Sequence, residues 1–349
     1  MKDTLGIGIV GAGFMGQTYV AAVNTLVKHA RAVAVACGTR APELAERHGI
    51  EVEASVEALA ARDDVDVVCV ATPHALHGPQ ALAAANAGKH LLIDKPMATT
   101  VEACDAVLHA CAERGLRCEV MFTQRNRICN VETRRLLDSG AFGKVLHIDT
   151  VQVVPEGMKT TPRWQLERAN VGILLGHGVH NIDQVRWLTG QEIARVFGKL
   201  GAIRGEYAVD GTSNVVLTLE DGTVCTMFCS FEVPKPGFPR TGGTTRIVCE
   251  RGLIDNDWYG ELRVSRDGAD WEVTASQPTI DWAGKGFLDP VRLETYATTL
   301  QRLVDDVRAG KPAGGSGWDG RQAVAAALAA YESSRTGAEI ELPHETPVV

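Results

Sequence analysis

No run of apolar residues in the 349-residue chain approaches the roughly 20 that a membrane-spanning helix needs, and the longest, such as 324–330, suit a buried helix or strand. The sequence also lacks a CxxC pair. Its nine cysteines, an odd number, are scattered at 37, 69, 104, 111, 118, 129, 225, 229 and 249, which argues against a disulfide framework and leaves them to pack as small apolar side chains. Positive charge is in deficit: 35 Lys and Arg face 43 Asp and Glu, and the net charge of −8 repels phosphate backbones and anionic lipid. Nucleic acid and membrane are therefore not expected partners. No apolar signal segment follows Met1 and Lys2, so the expected location is the cytoplasm. Repeats and low-complexity tracts are absent as well, and 314–317 reads as a short flexible joint.

Apolar residues make up 45% of the chain and charged residues 22%, the balance of a globular protein, and the length predicts two domains at roughly 150 residues each. Strands are predicted at 5–10, 32–37, 65–71, 90–94 and 117–122, with helices at 15–27, 42–48, 80–87 and 101–114 between them. Gly49, Gly88 and Gly115 stand where helix C-termini favour glycine. This alternation predicts an α/β Rossmann dinucleotide-binding domain over residues 1–123. After a helix at 131–139 the apolar period becomes two, with strands at 145–154, 214–219, 224–231 and 262–264. Asp221-Gly222 and Asp267-Gly268 supply hairpin turns. Residues 124–349 are thus predicted to form an α+β domain on a large, mainly antiparallel sheet, with helical patterns at 172–188, 293–308 and 321–334.

Gly11-Ala12-Gly13-Phe14-Met15-Gly16 follows the first strand and opens the first helix. In that context the first glycine permits a tight turn, the second lets backbone approach a pyrophosphate, and the third lets helix and strand pack closely. An NAD site would carry an acidic residue at the end of the second strand. Here stand Cys37-Gly38-Thr39-Arg40, and the hydroxyl of Thr39 and guanidinium of Arg40 suit a 2′-phosphate, so NADP is slightly favoured over NAD. Thr72, Pro73 and His77 end a strand at its carboxyl edge, where ligands of open α/β sheets bind. Asp94-Lys95-Pro96 ends the next one, with Lys95 free to be either a crevice group or a surface charge.

The remaining signal is 172–183, which carries Gly176, His177, His180 and Asp183, followed by Arg186-Trp187-Leu188-Thr189-Gly190. With the glycine loop, the Thr72 to His77 loop, Asp94-Lys95-Pro96, 122–125 and Trp164, this sequence resembles the glucose-fructose oxidoreductase, inositol dehydrogenase and rhizopine-catabolism (Gfo/Idh/MocA) family over essentially the whole chain. The resemblance implies an NAD(P)-dependent dehydrogenase acting on a ring secondary alcohol of a sugar, cyclitol or related polyol. It implies Lys95 and His180 as the catalytic pair. Imidazole, with an ordinary pKa of about 6.5, suits the base that takes the hydroxyl proton, and Lys95 would hydrogen-bond the same oxygen. Gly11, Gly13, Phe14, Met15, Gly16, Thr39, Arg40, Thr72, Pro73, His77, Asp94 and Lys95 are the expected cofactor contacts. Arg125, Arg163, Trp164 and His177 join Lys95 and His180 as expected substrate contacts.

Two departures stand out. Asp94 replaces the family's glutamate, a loss of one methylene, and Gly176 replaces the aspartate four residues before the histidine. No metal is expected at His177, His180 and Asp183. Trp258, Trp271, Trp282 and Trp318 are assigned to packing. As in relatives, subunits are expected to pair into dimers or tetramers through the sheet of the second domain. The rival readings are a sugar sensor without turnover and a redox-neutral enzyme that cleaves or eliminates with retained cofactor.

Overall fold

A computed structural model of the chain describes residues 2–205, 207–344 and 346. The first strands are β1 (Leu5–Val10), β2 (Ala30–Ala36), β3 (Glu51–Glu53), β4 (Val67–Val70), β5 (His90–Ile93) and β6 (Cys118–Val120). They pair in parallel in the order β3-β2-β1-β4-β5-β6. Between them run α1 (Phe14–Leu26), α2 (Ala41–His48), α3 (Val56–Ala60), α4 (His77–Asn86) and α5 (Val101–Glu113). Every residue of β1 and β4 is buried, as a sheet covered on both faces demands. The strand order reverses between β1 and β4, and this is where doubly wound sheets open a crevice for ligands. β3 and α3 were not predicted, because Glu51-Val52-Glu53 has no apolar alternation and α3 is only five residues, started by the Ser55 hydroxyl accepting from the Ala58 amide.

The remaining elements are α6 (Ile128–Asp138), β7 (Val145–Val153), α7 (Val179–Thr189), β8 (Ile193–Gly201), β9 (Thr212–Leu219), β10 (Val224–Ser230), β11 (Gly243–Cys249), β12 (Gly252–Asp257), β13 (Glu261–Arg266), β14 (Glu272–Ser276), α8 (Pro290–Arg308), α9 (Gly317–Thr336) and β15 (Ile340–Glu341). Nine strands form a second sheet in the order β14-β13-β12-β11-β7-β10-β9-β8-β15, antiparallel except where β7 meets β10. One face of it is covered by α6 and α7.

The division into domains differs from the sequence expectation that 124–349 forms one body. The chain up to Thr123 packs with Ile280–Arg321, while Gln124–Thr279 and Gln322–Thr346 form the second unit. The reason is hydrophobic: Leu293, Ala297, Leu300, Leu303 and Val304 of α8 repeat at helical spacing and join one core with Tyr19, Val20 and Val23 of α1 and Ile7 and Ile9 of β1. Residues 314–317 are not a free joint either, since the Cys118 amide donates to the Gly314 carbonyl at 2.9 Å and the Val120 amide to the Ser316 hydroxyl at 2.8 Å. Eight cysteines are buried as expected, but Cys37 is half-exposed at a left-handed position ending β2. Trp258 is fully buried, whereas Trp271 and Trp282 are half-exposed and contribute little core.

Candidate active site

The first unit builds a phosphate cradle from backbone. Gly11 has φ +107°, and a Cβ there would stand 2.6 Å from the Ala71 carbonyl oxygen; a Cβ on Gly16 would collide with the Gly11 carbonyl. Only glycine fits either place. At Gly13 the space is open, and a Cβ there would meet nothing nearer than the Arg40 guanidinium, 4.0 Å away. Gly13 caps α1 without a side chain, and no acidic residue lies in the first turn, so the positive end of the helix dipole is left for an anion. Beside it Cys37 and Gly38 both take left-handed backbone, and a Cβ on Gly38 would lie 3.2 Å from the Ala12 amide nitrogen. That bend carries Thr39 and Arg40, both exposed, and holds no carboxylate. Burial, then the Glu57 carboxylate, pushes the Cys37 thiol above its ordinary range. These features fit a dinucleotide.

Around the cradle, Phe14 is exposed and Met15 half-buried. Arg292 of α8 was not anticipated: its guanidinium lies 4.8 Å from the Phe14 ring centroid and 4.6 Å from that of Tyr296, and donates to the Thr18 hydroxyl at 3.1 Å. No motif spacing connects residues 14 and 292, so only packing could find it. His77, expected to touch the cofactor, is instead buried, with its two ring nitrogens 2.7 Å from the Thr72 and Pro96 carbonyls. It ties two crevice loops together. Thr72 and Pro73 are half-buried, and the Thr72 hydroxyl donates to Gln80 at 2.5 Å. Asp94, also buried, accepts from the Lys95 amide at 3.0 Å, which makes it a support for Lys95 more than a cofactor contact. Lys95 is half-buried at the carboxyl end of β5, before a cis peptide bond to Pro96.

In the second unit, a π-helical turn at Leu174–Gly178 leads directly into α7. It carries His177, half-buried with its ring 4.5 Å from that of Phe231, and His180 follows in the first turn of α7, 7% exposed. Long-range polar contacts set the helix. Asn181 donates to the Thr150 hydroxyl of β7 at 2.8 Å, and Gln184 accepts from Thr245 of β11 at 2.9 Å, which itself accepts from the Trp258 indole at 2.9 Å.

Arg125, expected to grip substrate, closes on Asp183 of α7 through two hydrogen bonds of 2.9 and 2.5 Å. Asp183 is fully buried, so the guanidinium neutralises a carboxylate that would otherwise carry a large desolvation cost. Arg163 is exposed and Trp164 half-buried on a single turn at Arg163–Leu166, and the Trp164 carbonyl accepts from Asn170 at 2.8 Å. Among the described residues, no three His, Cys, Asp or Glu side chains are grouped to hold a metal ion. No helix of the described residues is long and apolar enough to cross a membrane.

A Rossmann sheet with a glycine cradle at a helix N-terminus, followed by a large mixed sheet, defines a class of nicotinamide-dependent oxidoreductases. Residues 5–122 match the model of the oxidoreductase family with the NAD-binding Rossmann fold, and residues 131–255 match the GFO/IDH/MocA C-terminal domain. The chain belongs to the Gfo/Idh/MocA family and is an NAD(P)-dependent dehydrogenase acting on CH–OH groups. It is 31% identical over 343 residues to inositol 2-dehydrogenase 2 of Saccharopolyspora erythraea, covering 96% of this chain and 94% of the relative. Among solved structures it is similar to aldose-aldose oxidoreductase from Caulobacter crescentus complexed with glycerol, at TM-score 0.82 and 25% identity over 97% of this chain and 100% of that one. It is also similar to levoglucosan dehydrogenase in complex with NADH and levoglucosan, at TM-score 0.84 and 22% identity over 98% and 100% of the two chains.

Proposed function

We propose that this protein transfers a hydride between a nicotinamide cofactor and a ring secondary alcohol of a cyclitol or sugar, with His180 as the base and Lys95 as its partner on the alcohol oxygen. A nicotinamide cofactor held by the cradle of Gly11, Gly13 and Gly16 would supply the hydride acceptor. His180 takes the hydroxyl proton, and the Lys95 ammonium stabilises the oxygen as its charge builds. The single observation that carries this reading is the placement of His177 and His180 on a segment tied to the sheet by Asn181 and Gln184, which limits how far the imidazoles can wander. Gly176 leaves the family's usual carboxylate position without a side chain, so His177 takes over the orienting role toward substrate, with Trp164 and Arg163 closing over the sugar ring. The Asp183–Arg125 pair holds α7 from below.

NADP is the favoured cofactor, because Arg40 lies at the rim of the cradle and 37–40 carries no carboxylate to repel a 2′-phosphate. The reaction runs in the cytoplasm. Subunits pair through the open sheet face, where Phe197 and Val216 are cross-strand neighbours on β8 and β9 and Val248 and Leu253 are neighbours on β11 and β12, with Phe197, Val248 and Leu253 each about 40% exposed.

A panel of inositols, sugars and glycosides assayed by nicotinamide absorbance tests the reaction. His180→Ala is expected to lose at least about a hundredfold in kcat with cofactor affinity unchanged. Full activity of that variant, or binding of polyols with no absorbance change, removes the reading. Phe197→Asp is expected to shift the light-scattering mass toward the monomer, and an unchanged mass removes the sheet-face contact.

A further inference from the structure

The segment carrying His177 and His180 begins at a strained turn. Val171 has φ +53° and Gly172 φ +58°, and a β-branched residue in left-handed backbone is an outlier that the surroundings must hold. The holders are Asp210, which precedes β9, and Tyr331 of α9. Asp210 accepts from the Leu174 amide at 2.8 Å and the Ser213 hydroxyl at 3.0 Å on one carboxyl oxygen, and its backbone carbonyl accepts from the Ile173 amide at 3.3 Å. Its other carboxyl oxygen lies 2.6 Å from the Tyr331 hydroxyl, which also lies 2.9 Å from the Val171 carbonyl.

Counting protons makes this arrangement specific. A phenol has one hydrogen to donate, and the Val171 carbonyl can only accept. If Tyr331 donates to Asp210, the carbonyl faces a lone pair at hydrogen-bond distance; if it donates to the carbonyl, a carboxylate oxygen does. One additional proton satisfies all three groups. We propose that Asp210 carries this proton, donating to Tyr331, which in turn donates to Val171, and that this relay is the latch fixing the turn from which the His177–His180 segment starts. Asp210 and Tyr331 are positioning residues.

The surroundings agree. Asp210 is 6% exposed, and burial raises its carboxyl above the ordinary range. Burial holds the Tyr331 phenol well above its own. Both line a cavity of about 420 Å3, which gives the acid a route for proton exchange. Among the described residues, the other titratable groups facing them are Arg168, Arg335 and Tyr207 at the cavity wall, and Cys229 of β10 beside Tyr331. Both guanidiniums favour the ionised acid, so they work against the latch. A carboxyl raised in the folded state adds stability at low pH that is lost as pH rises through its folded pKa, so the latch loosens toward alkaline pH.

Asparagine imitates the protonated acid: its amide nitrogen can donate to Tyr331 while its oxygen still accepts from Leu174 and Ser213. Asp210→Asn is therefore expected to keep the Leu174 amide protected from hydrogen exchange at every pH. The parent should lose that protection as pH rises, and Asp210→Ala and Tyr331→Phe should lack it throughout. Infrared difference spectra of the parent against Asp210→Asn should show a protonated-carboxyl C=O band that fades over the same pH range. These readouts do not depend on turnover. The kinetic consequence rests on the proposed role of His180: kcat should fall about ten- to a hundredfold in Asp210→Ala, and the KM for cofactor should stay put. Asp210→Asn should recover most of the loss. Exchange in Asp210→Asn as fast as in Asp210→Ala, or protection in Asp210→Ala equal to the parent's, overturns the latch. Intact pH-dependent protection with unaffected kcat overturns its link to His180 and leaves the latch standing.

Discussion

The dinucleotide cradle of the first unit and the histidine segment of the second are held by different physics. The dinucleotide cradle is local: Gly11, Gly13 and Gly16 lie within six residues, and backbone conformation plus one helix N-terminus does the work. The His180 segment is held from afar, by Thr150, Thr245, Arg125, Asp210 and Tyr331, side chains that lie tens to more than a hundred residues away in sequence. A phosphate needs many amides and tolerates modest error, whereas a proton acceptor must meet one oxygen within a few tenths of an ångström. Backbone suffices for the first. The second requires side chains locked by other side chains.

This contrast breaks most sharply at Arg125. Arg125→Met takes the guanidinium away from the buried Asp183 carboxylate, and is expected to cost about 3–5 kcal/mol of stability, seen as a lower urea midpoint with little change in cofactor affinity relative to the folded fraction. A loss below about 1 kcal/mol would mean that the pair is solvated and does not support α7. Gly11→Val should do the reverse. A β-branched residue at φ +107° pressed on the Ala71 carbonyl carries about 1–3 kcal/mol of strain plus the clash, so cofactor binding by calorimetry should weaken at least tenfold while α7 amides stay protected. Equal binding by this variant would show that the cradle is softer than its geometry. Arg40→Ala is the finest probe: NADP affinity should drop about tenfold with NAD nearly unaffected, the difference of one charge-assisted contact. Equal loss for both cofactors would place Arg40 on the pyrophosphate or on nothing.

Legibility followed the same division. The six-residue glycine loop, the alternation of strands and helices, and the hairpin dipeptides are short-range signals, and the parallel sheet and cradle were readable from them. α8 was assigned to the wrong unit because its periodic apolar face shows that it is buried, not against what; the α1 and β1 side chains that complete its core lie more than 250 residues earlier. Arg125 and His77 were read as ligand contacts for a related reason. A cation or imidazole in a functional loop looks the same in sequence whether it meets a ligand, a buried Asp183, or the carbonyls of Thr72 and Pro96. Asp210 and Tyr331 gave no signal, since neither lies in a motif and they meet across 121 residues of sequence.

Sequence alone determined the fold class, the cofactor cradle and the family, because each rests on residue types at fixed short spacing, and such spacing dictates backbone geometry directly. Tertiary structure decided which charges are spent on one another, which helix completes which core, and what holds the histidine segment in place. Those are questions of distance between residues remote in the chain, and only the folded packing sets such distances.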